Sequence, residues 1–191
     1  MANSKIIIVE GPQGVGKTTM TDFIRNSLSY TNLYRLCGTS DVTKTGKAKA
    51  VKMYDTLLDY IKNLENTSVN LLFDRTFFTE EIYCRLGFKD YSFSDEYEKL
   101  LKRLSQMDFD IYYFALYLKN EDEYVKRLDR AGKAGYKNSP FNKENSINQQ
   151  NAYLKMADEI QEKYPNIHVY KIDNSKPEEE TKAEILEILQ K

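Results

Sequence analysis

Short runs of apolar residues alternate along this chain with longer stretches in which apolar residues recur at helical spacing. Five runs rich in β-branched and aromatic residues predict strands at residues 5–9, 32–36, 69–73, 109–118 and 166–172. The first and third runs contain the uninterrupted apolar stretches 6–9 and 71–73, as is typical of central strands that are buried on both faces of a parallel sheet. Since strands alternate with helices, the pattern predicts an α/β fold with helices on both faces of the sheet, joined by right-handed crossovers.

Helices are predicted between these strands by sets of apolar residues that share one face. The sets are Met20, Phe23, Ile24 and Leu28, then Val51, Tyr54, Leu58 and Ile61, and then Tyr97, Leu100, Leu101 and Leu104. Asn120 with Glu123 resembles a capping box and predicts a helix over about 121–131. Pro177 is followed by three glutamates, and this pattern predicts the start of the last helix.

The stretch RAGKAGYKNSPFNK, residues 130–143, breaks this alternation. It is rich in Gly, Lys, Asn and Pro and has little periodicity, which predicts a mobile lid at about 126–143. A helix from about residue 144 and then a strand follow it, so it is not expected to link two domains. We therefore expect a single domain over residues 1–191.

The segment GPQGVGKT, residues 11–18, fits the G-x-x-x-x-G-K-[ST] pattern of a phosphate-binding loop in full. Glycines let several backbone N–H groups converge on an anion, and the following helix adds the positive end of its dipole. Lys17 is expected to reach the β- and γ-phosphates of ATP, and Thr18 to offer its hydroxyl to Mg²⁺. The predicted nucleotide-binding residues are Gly11, Gln13, Gly14, Val15, Gly16, Lys17, Thr18 and Thr19.

A chance glycine-rich turn is the alternative, but the segment lies between a predicted strand and a predicted helix, as a phosphate loop requires.

A charged pair follows the third strand, at the edge of the sheet where open α/β folds place their ligands. There Asp74 is expected to position Mg²⁺ or its water. The paired N–H donors of the Arg75 guanidinium match the spacing of phosphate oxygens. A salt-bridged pair without function is the alternative for these two residues.

Charge and cysteine content exclude several classes of partner. The 28 basic and 29 acidic residues give a net charge of -1, so no overall basic field favours nucleic acid or an anionic membrane. Cys37 and Cys84 belong to no CxxC or Cys/His group, so neither a disulfide framework nor a zinc site is expected. No segment has the apolar run of a signal peptide or of a membrane span, so we expect a cytoplasmic protein.

Three segments resemble the thymidylate kinase and deoxynucleoside kinase superfamily. IIIVEGPQGVGKTT resembles the start of bacterial thymidylate kinases, and FDRTFFTEEIY lies between their Asp-Arg-Tyr segment and the Glu-Arg-Ser segment of deoxynucleoside kinases. Residues 144–157, which end in NAYLKMA, are similar to the thymidylate kinase helix that follows the lid. The resemblance implies a three-layer α/β/α fold with strand order 2-3-1-4-5, and transfer of the ATP γ-phosphoryl group to a nucleotide or nucleoside. The superfamily commonly dimerises through helices, so a homodimer is a further expectation.

The chain departs from the thymidylate kinase pattern where that family binds its acceptor. Gln13 stands where many thymidylate kinases have a carboxylate, and LCGTSD replaces their Arg-Glu-Pro-Gly segment after the second strand. Tyr54 is a candidate for stacking on the acceptor base, but no arginine follows it to read that base. The resemblance therefore does not imply specificity for thymine.

Cations of the lid are expected to meet the transferring phosphoryl group. Val15 is the loop residue near the phosphates, and thymidylate kinases without a loop arginine supply these cations from the lid. By this resemblance Arg127 and Arg130, with Lys133, would neutralise charge on lid closure. A solvated basic helix end is the alternative.

Gln150 and Asn151 in the helix after the lid share a predicted inward face with Ile147 and Leu154. A nucleobase edge would satisfy their amides, although an ordinary polar boundary position explains them as well.

Three functions compete on these observations. A nucleoside monophosphate kinase is favoured, because its acceptor is already an anion near neutral pH and needs no general base. A nucleoside kinase needs a carboxylate near the end of the second strand to take the hydroxyl proton, and Asp41 is the only candidate there. A nucleotide-binding switch without phosphoryl transfer is the third hypothesis, which the combination of Lys17, Thr18 and Asp74 disfavours.

Overall fold

Five parallel strands form one sheet at the centre of the molecule. A computed structural model describes residues 4–130 and 142–190 of the chain, without the side chain of Arg130. The strands run in the order β2-β3-β1-β4-β5, as the resemblance implied. They are β1 (Lys5–Glu10), β2 (Thr31–Arg35), β3 (Asn70–Asp74), β4 (Asp110–Tyr117) and β5 (Ile167–Asp173), so every predicted strand lies within one residue of its observed bounds.

Helices cover both faces of this sheet. The described helices are α1 (Lys17–Ser27), α2 (Lys44–Lys62), α3 (Phe77–Arg85), α4 (Ser94–Ser105), α5 (Glu123–Arg130), α6 (Lys143–Lys163) and α7 (Glu178–Leu189). The chain thus has the predicted three-layer α/β/α architecture.

Alternate residues of β1 supply the two hydrophobic cores. Ile6 and Ile8 pack into the core with α2, α3, α4 and α6, whereas Ile7 and Val9 pack into the core with α1, α5 and α7. All four side chains are at most 2% exposed. Because successive side chains of a strand point to opposite faces, a strand covered on both sides is apolar throughout.

The short helix α3 has no counterpart among the predicted helices. All six residues from Phe77 to Ile82 are buried, including Glu80 and Glu81. A helix that is surrounded on every side has no polar stripe, so it lacks the periodicity from which helices are predicted.

The lid prediction falls mainly on residues 131–141, outside the part of the chain that the structure describes. Its flanks are described: α5 begins at Glu123, two residues later than predicted, and α6 begins at Lys143. Within the described residues no helix is long and apolar enough to cross a membrane.

Candidate active site

The phosphate loop connects β1 to α1 and has the backbone that its glycines predict. Gly11, Gly14 and Gly16 have φ angles of 146°, 81° and 99°, values that residues with a Cβ atom rarely adopt. A Cβ atom added to Gly16 would lie 2.5 Å from Nδ2 of Asn174. The amide of Asn174 donates to the carbonyl oxygen of Val15 at 2.7 Å, so the loop is held closely from the end of β5.

Lys17 folds back over this loop. Its Nζ donates to the carbonyl oxygens of Gly11 and Pro12, both at 2.7 Å, and the side chain is buried. A buried ammonium group held by backbone carbonyls stays next to the anion site that the loop N–H groups form. This is the position expected of the phosphate-binding lysine.

Thr18 and Asp74 meet at the same edge of the sheet. Val9 pairs with Asp74 across the neighbouring strands β1 and β3, so both strands end beside the loop. The Thr18 hydroxyl donates to Oδ2 of Asp74 at 3.3 Å. A hydroxyl and a carboxylate are oxygen ligands that suit Mg²⁺ when phosphates complete its coordination, so these two residues fit the predicted metal role.

Arg75 leaves the end of β3 in an unusual backbone conformation. Its φ of 71° is in the left-handed region, although it is not glycine. Its Nη2 donates to Oε1 of Gln13 at 2.5 Å, so the guanidinium lies over the phosphate loop. The side chains of Asp74 and Arg75 thus have different hydrogen-bond partners, Thr18 for Asp74 and Gln13 for Arg75.

A cavity of about 350 Å³ opens where these residues meet. Its lining comprises Gln13, Gly14, Gly16, Lys17, Thr18, Arg35, Leu36, Cys37, Asp74 and Arg75. We call it the acceptor cavity, after the ligand that we propose for it below. Three cations and one carboxylate line it, which suits an anionic ligand.

Arg35 is the charged residue of this cavity that was not predicted from the sequence. It is the last residue of β2 and pairs in register with Asp74. Its Nε lies 3.8 Å from Oδ2 of Asp74, and its Nη2 is paired with Asp22 of α1. The strand-end rule that identified Asp74 and Arg75 applies equally to Arg35 and would have found it.

Arg127 of α5 contacts both the phosphate loop and the residue that follows β5. Its guanidinium donates to the carbonyl oxygens of Val15 at 3.0 Å and Asn174 at 2.6 Å, and it pairs with Glu123 at 2.9 Å. It lines a second cavity of about 340 Å³, beside the first turn of α1 and apart from Arg75 and Asp74. Thr19 lines this second cavity as well. The side chain of Arg130 and the whole of Lys133 lie outside the described residues, so their predicted roles remain predictions.

The structure gives Tyr54 and Gln150 partners within the protein. Tyr54 is 1% exposed and packs edge-on against the rings of Phe77 and Phe93, so it has no open face for a base. Gln150 is buried, and its Oε1 accepts from the Leu118 N–H at 2.7 Å and from the Tyr124 hydroxyl at 2.6 Å. Gln150 therefore joins α6 to the end of β4 instead of offering its amide to a ligand.

Asn151 and Asp41 also differ from their predicted settings. Asn151 is exposed, because it lies one residue round the helix from Gln150 and does not share its buried face. Asp41 accepts hydrogen bonds from Lys49 at 2.6 Å and from the hydroxyls of Thr43 and Thr45. The hydrogen bond from Lys49 is the main cause that lowers the pKa of Asp41, and a carboxylate with a lowered pKa is a weak base.

Comparisons with known proteins support the fold. No protein-family model and no curated protein significantly matches the sequence. Among solved structures, thymidylate kinase from Candida albicans matches with a TM-score of 0.68 at 15% identity, covering 100% of this chain and 92% of that protein. Deoxyadenosine kinase from M. mycoides with bound dATP matches with a TM-score of 0.65 at 17% identity, covering 98% of this chain and 100% of that protein. Shikimate kinase from Acinetobacter baumannii matches with a TM-score of 0.51 at 14% identity, covering 98% of this chain and 93% of that protein.

The fold and the loop together define a phosphate-loop protein with the three-layer architecture of small-molecule kinases. Within that class, the chain shares its fold with the thymidylate kinase from Candida albicans and the deoxyadenosine kinase from M. mycoides. At identities of 15% and 17% the similarity concerns the fold, and the activity has to be argued from the site.

Proposed function

We propose that this protein is a nucleoside monophosphate kinase, which transfers the γ-phosphoryl group of ATP to a nucleoside 5′-monophosphate. The observation that carries the proposal is the setting of Arg75. Its guanidinium enters the acceptor cavity bound to the neutral amide of Gln13, and Arg35 enters the same cavity from the next strand. Two guanidinium groups at one cavity suit a phosphate acceptor, which they bind through paired hydrogen bonds.

The donor side of the reaction is supported by the phosphate loop and the second cavity. ATP phosphates suit the loop N–H groups and Lys17, while the cavity beside Thr19 and Arg127 has room for the base and sugar of the donor. On this arrangement Arg127 contributes to donor binding, and the charge on the transferring group is met by Lys17 and Arg75.

Transfer to a monophosphate needs positioning more than proton chemistry. The acceptor oxygen is an anion near neutral pH, so the protein has to hold it in line with the γ-phosphorus and to stabilise the spreading negative charge. Lys17 lies on the loop side of the reaction, and Arg75 and Arg35 lie on the acceptor side. When bound between Thr18 and Asp74, Mg²⁺ would add charge neutralisation at the donor phosphates.

A nucleoside kinase is the competing function, and it requires a general base. Asp41, the predicted base, does not line the acceptor cavity and is engaged by Lys49. Asp74 is the one carboxylate in the described lining, and its Oδ2 already accepts from Thr18. These settings favour the monophosphate as acceptor.

The test is a phosphoryl-transfer assay with ATP and Mg²⁺ over the common nucleosides and their 5′-monophosphates, in which ADP and phosphorylated product are measured separately. We expect product from monophosphates only. Product from nucleosides alone would overturn the proposal in favour of a nucleoside kinase. ATP binding without any product would favour the nucleotide-binding switch.

A further inference from the structure

Glu10 is a buried carboxylate that none of the roles above uses. It ends β1, directly before the phosphate loop, and is 0% exposed. Its Oε1 accepts from the backbone N–H of Thr76 at 2.7 Å and from the Thr76 hydroxyl at 3.3 Å. Its Oε2 accepts from the Thr79 hydroxyl at 2.6 Å, and that hydroxyl lies 2.8 Å from the hydroxyl of Tyr153. Both carboxylate oxygens thus hold the start of α3.

These bonds lie next to the unusual backbone of Arg75. A non-glycine residue in the left-handed region is strained by about 1–2 kcal/mol and persists only where its surroundings hold it. On one side the Arg75 N–H donates to the carbonyl oxygen of Val9 at 3.3 Å. On the other side the next N–H, that of Thr76, donates to Glu10. Both acceptors belong to β1, the strand that carries the phosphate loop.

We propose that Glu10 is a positioning residue for Arg75: by holding the Thr76 amide it fixes the backbone turn from which the guanidinium enters the acceptor cavity. This inference rests on the proposed function, in which Arg75 binds the acceptor phosphate. Glu10 is not among the residues that line the acceptor cavity, and its hydrogen bond to the Thr76 amide reaches the turn that carries Arg75. It therefore acts through Arg75 and links the acceptor side of the site to the phosphate loop.

The burial of Glu10 is costly, which fits a role in positioning. Burial raises the pKa of its carboxyl from 4.5 to about 7, although the hydrogen bonds from Thr79 and Thr76 lower it. A buried carboxylate is retained at such a cost where its hydrogen bonds organise a site. The charged and titratable groups that face Glu10 are Arg75 at the end of β3, Lys17 of α1, Tyr153 of α6, Tyr113 of β4 and Tyr54 of α2.

Two substitutions separate the hydrogen bonds that the Glu10 oxygens accept from the negative charge that they carry. Glu10→Met has a similar length but no oxygen for Thr76, whereas Glu10→Gln keeps one carbonyl oxygen that accepts from the same N–H. We expect Glu10→Met to lower kcat/KM for the monophosphate by about 10- to 100-fold. This is the effect expected when Arg75 loses one charge-assisted hydrogen bond to the acceptor phosphate. We expect Glu10→Gln to keep kcat/KM within about threefold of the wild-type value, because its carbonyl oxygen still accepts from the Thr76 N–H and so keeps the turn in place. ATP binding, measured by calorimetry, should stay unchanged in both.

A double-mutant cycle with Arg75→Ala tests whether Glu10 acts through Arg75. In the Arg75→Ala background, Glu10→Met should cost less than about threefold further, because the side chain that it positions is gone. Equal losses in both backgrounds would overturn the proposal and leave Glu10 with a general role in stability. Wild-type kcat/KM in a folded Glu10→Met would overturn it as well.

The Thr76 amide gives a readout that needs no activity. In ¹⁵N-resolved NMR spectra of the wild-type protein we expect this amide to exchange slowly with solvent, and to exchange faster in Thr79→Val, which removes the donor to Oε2. Thr181→Val is the matched control, since its buried hydroxyl has no hydrogen-bond partner in the described part of the chain.

These two measurements keep the possible failures apart. If the wild type turns over no monophosphate, the proposed function is wrong, and Glu10 is then judged on the Thr76 amide alone. Rapid exchange of that amide in the wild type would refute the positioning by Glu10 whatever the activity.

Discussion

Oε1 of Gln13 accepts a hydrogen bond from Nη2 of Arg75 at 2.5 Å, and this contact joins the phosphate loop to the end of β3. The amide orients the guanidinium without neutralising it. A carboxylate in the same place would form an ion pair with Arg75 and compete with an anionic ligand. The neutral partner thus leaves the positive charge of Arg75 available to an acceptor phosphate.

Gln13→Glu should weaken binding of the acceptor. The new carboxylate would pair with Arg75, so we expect the KM for the monophosphate to rise by about tenfold or more, as expected from losing one charge-assisted contact. Steady-state kinetics with varied acceptor measure this. Gln161→Glu makes the same change of charge at an exposed position of α6 and should leave KM unaltered. An unchanged KM in Gln13→Glu would show that acceptor binding by Arg75 does not depend on a neutral partner at position 13.

Arg75→Ala should lower turnover while ATP binding survives. We expect a loss of about 100-fold or more in kcat/KM, because the guanidinium stabilises charge at the acceptor and does not hold the donor. ATP affinity is measured separately by calorimetry. Arg103→Ala, which removes a surface arginine paired with Asp55 and Asp59, is the control. Full activity in Arg75→Ala would remove this residue from the mechanism.

Asp74→Asn should change the requirement for Mg²⁺. The amide is a poorer metal ligand than the carboxylate, so we expect a higher Mg²⁺ concentration at half-maximal rate and a kcat reduced by about 100-fold or more. A Mg²⁺ titration at saturating ATP measures both. Asp110→Asn lies at the opposite end of the sheet, where Asp110 pairs with Lys5, and serves as the control. The same Mg²⁺ dependence in Asp74→Asn and wild type would rule out Asp74 as a metal ligand.

Asp41→Asn should have little effect on transfer to a monophosphate. Because Asp41 is held by Lys49 outside the acceptor cavity, we expect activity within about threefold of the wild type, as for most surface changes. The assay panel of nucleosides and monophosphates measures this. A collapse of activity in the folded variant would instead support Asp41 as a general base and a nucleoside as acceptor.

Glu10 should make the stability of the protein depend on pH. Its folded-state pKa of about 7 exceeds its ordinary 4.5, so between these values the folded form holds a proton that the unfolded form has lost. The contribution of Glu10 to stability should therefore be greatest below pH 4.5 and fall as the pH rises to about 7, by about 3 kcal/mol for a shift of this size. Glu10→Gln lacks this group, so urea unfolding at pH 5 and pH 8 should show the variant gaining stability relative to wild type at pH 8. If the free energies of unfolding of variant and wild type differed by the same amount at both pH values, the raised pKa of Glu10 would be contradicted.

Several parts of the site were predictable because they depend on local sequence. Lys17 and Thr18 follow the glycines of the loop at a fixed spacing, and Asp74 and Arg75 follow the apolar stretch 71–73 of the third predicted strand. Tyr54 and Asn151 were misplaced because helical spacing alone does not show which neighbours enclose a side chain or how far its face turns outward. The contacts of Arg127 were not predicted, because they involve carbonyl groups of Val15 and Asn174, which are distant in the chain.

The sequence by itself determined the succession of strands and helices along the chain apart from α3, the phosphate loop, and the strand end beside Asp74 and Arg75. Apolar periodicity and glycine spacing act over a few residues, so they can be recognised locally. Only the tertiary structure decided the pairing of Arg75 with Gln13, the entry of Arg35 into the same cavity and the contact of Glu10 with Thr76. These contacts join residues up to 66 positions apart. They exist because parallel strands bring their carboxyl ends to one edge of the sheet, which no local pattern specifies.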